Sequence, residues 1–214
     1  MKPVLVAVTG GVGSGKTLFA RALADCGGVL IDADGIAAEI VDEDRAIRDQ
    51  IENEFGRRFF NAAGRLKRRE LGRYVFGDAA ALKKLNHIIW PTLLRTIRHR
   101  IDARSANGAP VIMDMAIVFE AGVSDWFDLI IVVDAPPDKR KAWLRARRQW
   151  HPDEIRDRMA SQMDVREKRM RAHVVIENDG APDELIAKAS RVYHEHVIRN
   201  ELSPNLQNDH REND

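Results

Sequence analysis

The sequence predicts a doubly wound α/β fold, in which helices cover both faces of a parallel five-stranded sheet. Short runs that are apolar almost throughout are typical of strands buried on both faces. Five such runs are present: Val4–Thr9, Val29–Ile31, Val111–Met115, Leu129–Asp134 and Val174–Glu177. Helical patterns lie between these runs, and that alternation favours parallel strands joined by helices. The first run also leads through a glycine-rich turn into an amphipathic helix, as expected at the first crossover of such a sheet.

Length and composition limit the classes of protein to consider. The 214 residues suffice for one sizeable core, and a formal net charge of +1 gives no global basic field for nucleic acid. The single cysteine, Cys26, excludes an internal disulfide framework and fits a reducing compartment. No signal peptide precedes the first strand, and the longest apolar runs are too short to span a membrane. We therefore expect a cytoplasmic protein with neither nucleic acid nor membrane as partner.

The turn after the first strand carries the strongest motif. Residues 10–17 read GGVGSGKT, which is Gly, any four residues, then Gly-Lys-Thr. In this P-loop pattern, backbone N–H groups and the N-terminus of the next helix converge on phosphate oxygens. Lys16 would reach the β- and γ-phosphates, and the Thr17 hydroxyl would bind Mg²⁺. An ordinary glycine-rich turn is the alternative, but the flanking strand and helix favour a polyphosphate site.

Two carboxylates follow the second strand. Asp32 and Asp34 stand in the run Ile31-Asp32-Ala33-Asp34, and ligands of open α/β sheets bind beyond the carboxyl ends of the strands. One carboxylate could accept a proton from an attacking hydroxyl while the other helps to hold Mg²⁺ or its water shell. The alternative is that Asp34 only caps the next helix.

The next seventy residues exceed what one crossover helix needs, so we predict a helical subdomain inserted over the site at about 36–107. The predicted helices are Ile36–Val41, Asp44–Phe55, Arg68–Phe76, Ala79–Ile89 and Thr92–Ser105. A basic segment, Gly64–Arg69, opens one of them. Basic charge is unfavourable at a helix start, so this segment either serves an anionic ligand or is a solvated basic face.

The third strand ends in Asp114. An apolar strand that ends in aspartate resembles a Walker B element, whose carboxylate supports Mg²⁺. Many buried strands end in this way, so the P-loop is what favours a metal-binding role for Asp114. No further metal ligand is indicated.

A strongly basic helix follows the fourth strand and opens a predicted lid at about 139–171. Arginines on a mobile cover would neutralise charge on a transferred phosphoryl group, although a solvated basic helix is the alternative. Its basic residues include Lys139, Arg140, Lys141, Arg145, Arg147 and Arg148. The last strand leads into Asn178-Asp179-Gly180, a turn that a nucleotide base could contact. The core is then 1–35, 108–138 and 172–200, with a polar, flexible tail at 201–214.

At this point the chain resembles the dephospho-CoA kinase family along most of its length, to about residue 195. TGGVGSGK at 9–16, followed shortly by IDAD at 31–34, is much narrower than a P-loop alone. Later matches are Phe55-Gly56, Gly64, Leu66, Arg68, Leu71, Phe76, Phe119-Glu120, Gln162, Glu167-Lys168, Ala172, Ile176, Asn178 and Gly180.

The resemblance implies a P-loop kinase fold with a helical substrate domain and a lid. It also implies transfer of the ATP γ-phosphoryl group, with Mg²⁺, to the ribose 3′-hydroxyl of dephospho-CoA. Asp34 would be the general base, acting with Lys16, Arg140, Arg147 and Arg148. ATP would bind Gly11, Val12, Gly13, Ser14, Gly15, Lys16, Thr17, Asn178 and Gly180. The acceptor would bind Asp34, Arg68 and Glu120, and Mg²⁺ would bind Thr17, Asp32 and Asp114, the carboxylates through water.

Two departures from the family pattern keep other functions open. The family usually has His-Pro where this chain has Trp90-Pro91, and a proline where it has Ala116. A divergent P-loop kinase for another hydroxyl acceptor, such as a nucleoside or nucleotide, is one alternative. A non-catalytic ATP-binding regulator is the other, although Lys16, Asp32 and Asp34 argue against it. We expect a monomer or a weak homo-oligomer.

Overall fold

The computed structural model describes residues 3–105 and 108–198, and it contains the predicted five-stranded sheet. The strands are β1 (Leu5–Thr9), β2 (Val29–Asp32), β3 (Val111–Asp114), β4 (Leu129–Asp134) and β5 (Val174–Glu177). All neighbours pair in parallel, in the order β2-β3-β1-β4-β5. The predicted tail at 201–214 lies outside the described residues.

The three inner strands β1, β3 and β4 are buried on both faces, which explains why their runs are apolar, whereas the edge strands β2 and β5 are partly buried. Alternate residues of β1 enter different cores: Leu5 and Ala7 pack on one side of the sheet, Val6 and Val8 on the other. The second side is covered by α1 (Lys16–Asp25) and α9 (Pro182–Val192), which is extended by a π-helical turn at Tyr193–Val197. The predicted doubly wound α/β fold is therefore confirmed.

The other face of the sheet is covered by a helix-rich segment between β2 and β3. Its helices are α2 (Ala33–Glu43), α3 (Arg45–Phe55), α4 (Arg68–Phe76) and α5 (Ala79–Ser105). The predicted break at Trp90-Pro91 is wrong, because α5 is one helix of 27 residues with Pro91 inside it. Proline removes only one hydrogen bond of the helix. The helix continues past Pro91 because its next turns are buried against the sheet through Leu93, Ile97 and Ile101.

Three helices lie between β4 and β5, within the segment predicted as a lid. They are α6 (Pro137–Arg148), α7 (Pro152–Ala160) and α8 (Val165–Arg171). Gln149 ends α6 in the left-handed conformation, with φ of 52°, and so turns the chain back into α7. Among the described residues, no helix combines the length and the apolar character that crossing a membrane requires.

Candidate active site

The P-loop, the helical insertion and the lid helices line one cavity of about 800 Å³. The P-loop contributes residues 12–18, and α5 contributes an apolar wall that includes Leu85, Ile89 and Trp90. Asp34, Glu120, Arg147, Arg148, Arg158, Asn178 and Gly180 also face the cavity. The structure thus brings together most of the residues that the sequence analysis singled out for ATP.

The P-loop joins β1 to α1 and is held in shape from two distant parts of the chain. Gly15 stands immediately before α1 with φ of 93°, and a Cβ there would lie 2.4 Å from Asn178 Nδ2, so only glycine fits. Asn178 Nδ2 donates to the Ser14 carbonyl oxygen at 2.8 Å. The Val12 N–H donates to Gln162 Oε1 at 2.8 Å. Asn178 therefore supports the loop backbone from β5, and Gln162 supports it from the lid.

Lys16, Thr17 and Asp114 form a compact polar group at the start of α1. Thr17 Oγ1 donates to Asp114 Oδ2 at 2.6 Å, and Lys16 Nζ lies 3.1 Å from Asp114 Oδ1. Asp114 is buried because β3 runs in the interior of the sheet beside β1. Lys16 Nζ also lies 3.9 Å from Asp34 Oδ2. One lysine thus links the two carboxylates predicted for metal binding and for catalysis.

The two aspartates after β2 have different positions. Asp32 Oδ1 accepts the Gly35 N–H at 3.1 Å and caps α2, so the cap considered for Asp34 belongs to Asp32. Asp32 does not line the cavity, and its contact with Mg²⁺ stays a prediction. Asp34 lies in the first turn of α2 and faces the cavity, where 80% of its side-chain surface is open.

The cavity also changes the acidity of Asp34. Burial among the crowded cavity walls raises the pKa of the Asp34 carboxyl, because the ionised form loses hydration even though the side chain faces open space. Lys16 opposes this shift, whereas Asp114 and Asp32 add to it and Arg148 opposes it. A carboxylate with a raised pKa is a stronger proton acceptor than an ordinary aspartate.

The predicted arginines occupy two distinct places. Arg147 and Arg148, at the end of α6, line the cavity. Arg140, near the start of α6, is buried behind the P-loop, where its Nε donates to the Val12 carbonyl oxygen at 2.9 Å. A Cβ at Gly11 would lie 2.3 Å from Arg140 Nη2, so this guanidinium lies directly against the loop backbone. Its catalytic role stays a prediction, but in this structure it supports the loop.

Besides Asp34, the two residues predicted for acceptor binding are both engaged by the protein. Arg68 forms an ion pair with Asp42 and donates to the Ala38 carbonyl oxygen at 2.8 Å, outside the cavity lining. Glu120 lies at the cavity edge, where Oε1 accepts the Met163 N–H at 3.1 Å and lies 2.7 Å from Lys168 Nζ. Neither contact excludes a ligand, and acceptor binding by Arg68 and Glu120 stays a prediction.

Three residues contribute to the site without having been assigned a role from the sequence. Gln162 and Lys168 are among the residues that match the family pattern. Nothing in the sequence around them shows that Gln162 contacts the P-loop or that Lys168 contacts the loop after β3. Arg158 is one of many arginines in this basic region and has no distinguishing motif. Their roles depend on contacts between parts of the chain that are far apart in sequence.

Gln162 provides a direct test of the support of the P-loop by the lid. Gln162→Ala should weaken ATP binding about fivefold, since one hydrogen bond of about 1 kcal/mol to the loop is lost. Calorimetric titration with a non-hydrolysable ATP analogue measures this change. Arg166→Ala, at an exposed position of α8, is the matched control and should leave the affinity unchanged. Equal affinities for the two variants would show that Gln162 does not hold the loop.

Comparison with known proteins identifies the family. The model of the family described as dephospho-CoA kinase matches residues 4–184. The Corynebacterium diphtheriae dephospho-CoA kinase is 36% identical over 182 residues, which cover 85% of this chain and 91% of that protein. The Thermobifida fusca dephospho-CoA kinase is 35% identical over 190 residues, which cover 89% of this chain and 94% of that protein.

Solved structures share the fold of this chain. A crystal structure of a protein from Thermus thermophilus superimposes with a TM-score of 0.73 at 29% identity, covering 92% of this chain and 99% of that one. The dephospho-CoA kinase of Campylobacter jejuni has a TM-score of 0.67 at 23% identity, which supports the fold, and covers 92% and 98% of the two chains. From the family match, the relatives and the cavity geometry, we conclude that this chain belongs to the dephospho-CoA kinase family.

Proposed function

We propose that this chain transfers the γ-phosphoryl group of ATP to the ribose 3′-hydroxyl of dephospho-CoA, which gives coenzyme A and ADP. The observation that carries the proposal is the position of Asp34. Its carboxylate faces the cavity, has no capping role and lies 3.9 Å from the P-loop lysine. A hydroxyl that reaches the γ-phosphate would therefore meet a proton acceptor at the same place.

The donor atoms around Thr17 suit Mg²⁺. Mg²⁺ prefers oxygen ligands and is usually held by one or two carboxylates together with substrate phosphates, rather than by a complete protein cage. Thr17 Oγ1 and Asp114 provide such oxygens, and the buried Asp114 Oδ1 is paired only with Lys16 Nζ, at 3.1 Å, among the described residues. Those residues contain no group of three or more His, Cys, Asp or Glu side chains arranged to hold a metal. When bound there, Mg²⁺ would neutralise phosphate charge.

The residues around the cavity have different roles in the reaction. The backbone N–H groups of the P-loop and Lys16 orient the ATP phosphates, and Lys16 gives up its contact with Asp114 to do so. Asp34 accepts the proton of the acceptor hydroxyl as the new P–O bond forms and the bond to the ADP oxygen breaks. Arg147 stabilises the charge on the phosphoryl group, and closure of the lid excludes water.

The raised pKa of Asp34 predicts an acid limb in the pH profile. Asp34 must be ionised to accept a proton, so activity is lost as the pH falls through its pKa in the folded enzyme. Because that pKa is raised, kcat/KM for the acceptor should begin to fall at a higher pH than an ordinary aspartate would give. Initial rates at saturating ATP across the acid range measure it. A profile that stays flat until the protein unfolds would contradict the assignment.

An acceptor panel tests the function itself. Release of ADP is followed with ATP, Mg²⁺ and, in turn, dephospho-CoA, nucleosides and nucleotides. We expect release with dephospho-CoA. Release only with a nucleoside or nucleotide would favour a divergent kinase, and ATP binding without release would favour a regulator. A cytoplasmic location and a monomeric or weakly associated state stay predictions, the second of which sedimentation would test.

A further inference from the structure

A cluster of arginines joins the helical insertion to the lid. Arg73 on α4 and Arg158 on α7 both contact Glu154, with Nε to carboxylate oxygen distances of 3.1 and 3.2 Å. Arg69 on α4 donates to the Gln149 carbonyl oxygen at 3.3 Å, beside the end of α6. Glu154 is buried, with 3% of its side chain exposed. We call Arg69, Arg73, Arg148 and Arg158 the arginine cluster.

Arg158 is the member of the arginine cluster whose side chain is held in one orientation by its neighbours. Its guanidinium carbon lies 4.1 Å from the ring centroid of Phe76 and 4.3 Å from that of Trp150, so one aromatic ring from α4 and one from the lid hold it. Nε is the atom that contacts Glu154, and within residues 3–105 and 108–198 no acceptor engages Nη1 or Nη2. Arg158 lines the cavity. It therefore offers N–H donors of fixed orientation to a ligand.

The cluster carries more positive charge than the protein balances. Arg73 and Arg158 share the single buried carboxylate of Glu154, nearby Asp157 is engaged by Arg156 at 3.0 Å, and no carboxylate among the described residues pairs with Arg69 or Arg148. Burial lowers the pKa of Arg158, Glu154 opposes that change, and the positive charges of Arg148 and Arg69 add to it. Like charges that approach one another in a cavity are stabilised by a bound anion of matching charge.

The position of Arg148 shows where an anion bound to the arginine cluster would lie relative to the reacting hydroxyl. Arg148 and Arg158 line the same cavity as Asp34, the proposed base. The cluster therefore lies next to the site of proton transfer, on the side formed by α4 and the lid. In dephospho-CoA, the ribose that bears the reacting 3′-hydroxyl also carries a 5′-diphosphate. Apart from the ATP γ-phosphate, the anion nearest the acceptor hydroxyl is thus part of the acceptor itself.

We propose that Arg158, together with Arg148, binds the 5′-diphosphate of the acceptor. This inference rests on the proposed function and assigns one part of its substrate to named residues. Because Arg158 of the lid packs on Phe76 of the insertion, the bound diphosphate would lie where the two segments meet. Arg158 is consequently a specificity-determining residue that discriminates against acceptors without a 5′-diphosphate.

The test compares two acceptors while a non-hydrolysable ATP analogue fills the P-loop. Arg158→Met keeps an unbranched apolar side chain between Phe76 and Trp150, and Glu154 retains Arg73. Calorimetry should show dephospho-CoA binding about 10- to 100-fold more weakly to this variant, because charged hydrogen bonds are lost. Binding of adenosine should change less than about twofold, as it has no phosphate to lose. Arg145→Met, at an exposed position of α6, is the control.

Several outcomes would overturn the assignment. Equal weakening of dephospho-CoA and adenosine would mean that Arg158 acts only through packing, and weaker binding of the ATP analogue would mean that it serves ATP. If Arg158→Met does not fold, the salt dependence of ligand binding to the parent chain tests the proposal instead. Its affinity for dephospho-CoA should fall with rising ionic strength, whereas its affinity for adenosine should not. Failure of the proposed function is distinguishable, since the parent would then show no turnover with dephospho-CoA.

Discussion

Asp34→Asn should lower turnover about 10²- to 10⁴-fold, because an amide cannot accept the proton of the acceptor hydroxyl. The P-loop contacts through Gln162, Asn178 and Asp114 do not involve Asp34, so binding of ATP should remain close to that of the parent. Asp34 is exposed and caps no helix, so a neutral side chain of the same shape should cost little stability. Single-turnover rates at saturating ATP and dephospho-CoA measure the loss, and thermal unfolding verifies the fold.

Asp49→Asn is the matched control for this variant. Asp49 lies on α3, where its exposed carboxylate is 3.7 Å from Arg45, and the same change there should leave turnover unaltered. If Asp34→Asn turned over at a rate near that of the parent, Asp34 would not be the general base. The reaction would then depend on positioning and charge neutralisation alone.

Lys168→Met should have the largest effect on stability. Lys168 is fully buried, and its Nζ lies 2.7 Å from both Glu120 Oε1 and the Ala116 carbonyl oxygen. Without the lysine, the Glu120 carboxylate would remain without its counter-charge, and breaking such a buried pair costs about 3–5 kcal/mol. For a domain of this size, the melting temperature should fall by about 6–20 °C. Scanning calorimetry at neutral pH measures it.

Two further variants separate the ion pair from the loss of packing. Lys188→Met, where the half-exposed lysine donates to the Glu177 carbonyl oxygen, should change the melting temperature by only a few degrees. Glu120→Gln combined with Lys168→Met should recover part of the loss, since no uncompensated charge remains. A double variant as unstable as the sum of the two single variants would show that the pair contributes no coupling energy.

The sheet and the P-loop were predictable because each is encoded in a continuous run of residues. Apolar strands located β1 and β4 to within one residue, and the P-loop and Asp34 line one cavity, as their positions after β1 and β2 predict, whereas Asp32 caps α2 instead. The break predicted at Pro91 was wrong because the low helix propensity of proline was the only criterion, whereas packing against the sheet determines whether α5 continues. Leu93, Ile97 and Ile101 bury the following turns of α5 against the sheet and so keep it whole.

The lid was less predictable, since its arginines look alike in sequence. Arg140 and Arg147 are seven residues apart on α6, which separates them by about 10 Å along the helix axis. That distance places Arg140 behind the P-loop and Arg147 at the cavity. The supports from Gln162 to Val12 and from Lys168 to Ala116 span 150 and 52 residues, so no local pattern could reveal them.

The central claim is that this cavity phosphorylates the ribose 3′-hydroxyl of dephospho-CoA. The most direct measurement is ³¹P and ¹H NMR of the product formed by the parent chain from ATP, Mg²⁺ and dephospho-CoA. We predict a new phosphate monoester whose phosphorus couples to the ribose H3′, formed in a one-to-one ratio with ADP. A monoester at another position, or ADP formed with inorganic phosphate and unchanged dephospho-CoA, would contradict the claim.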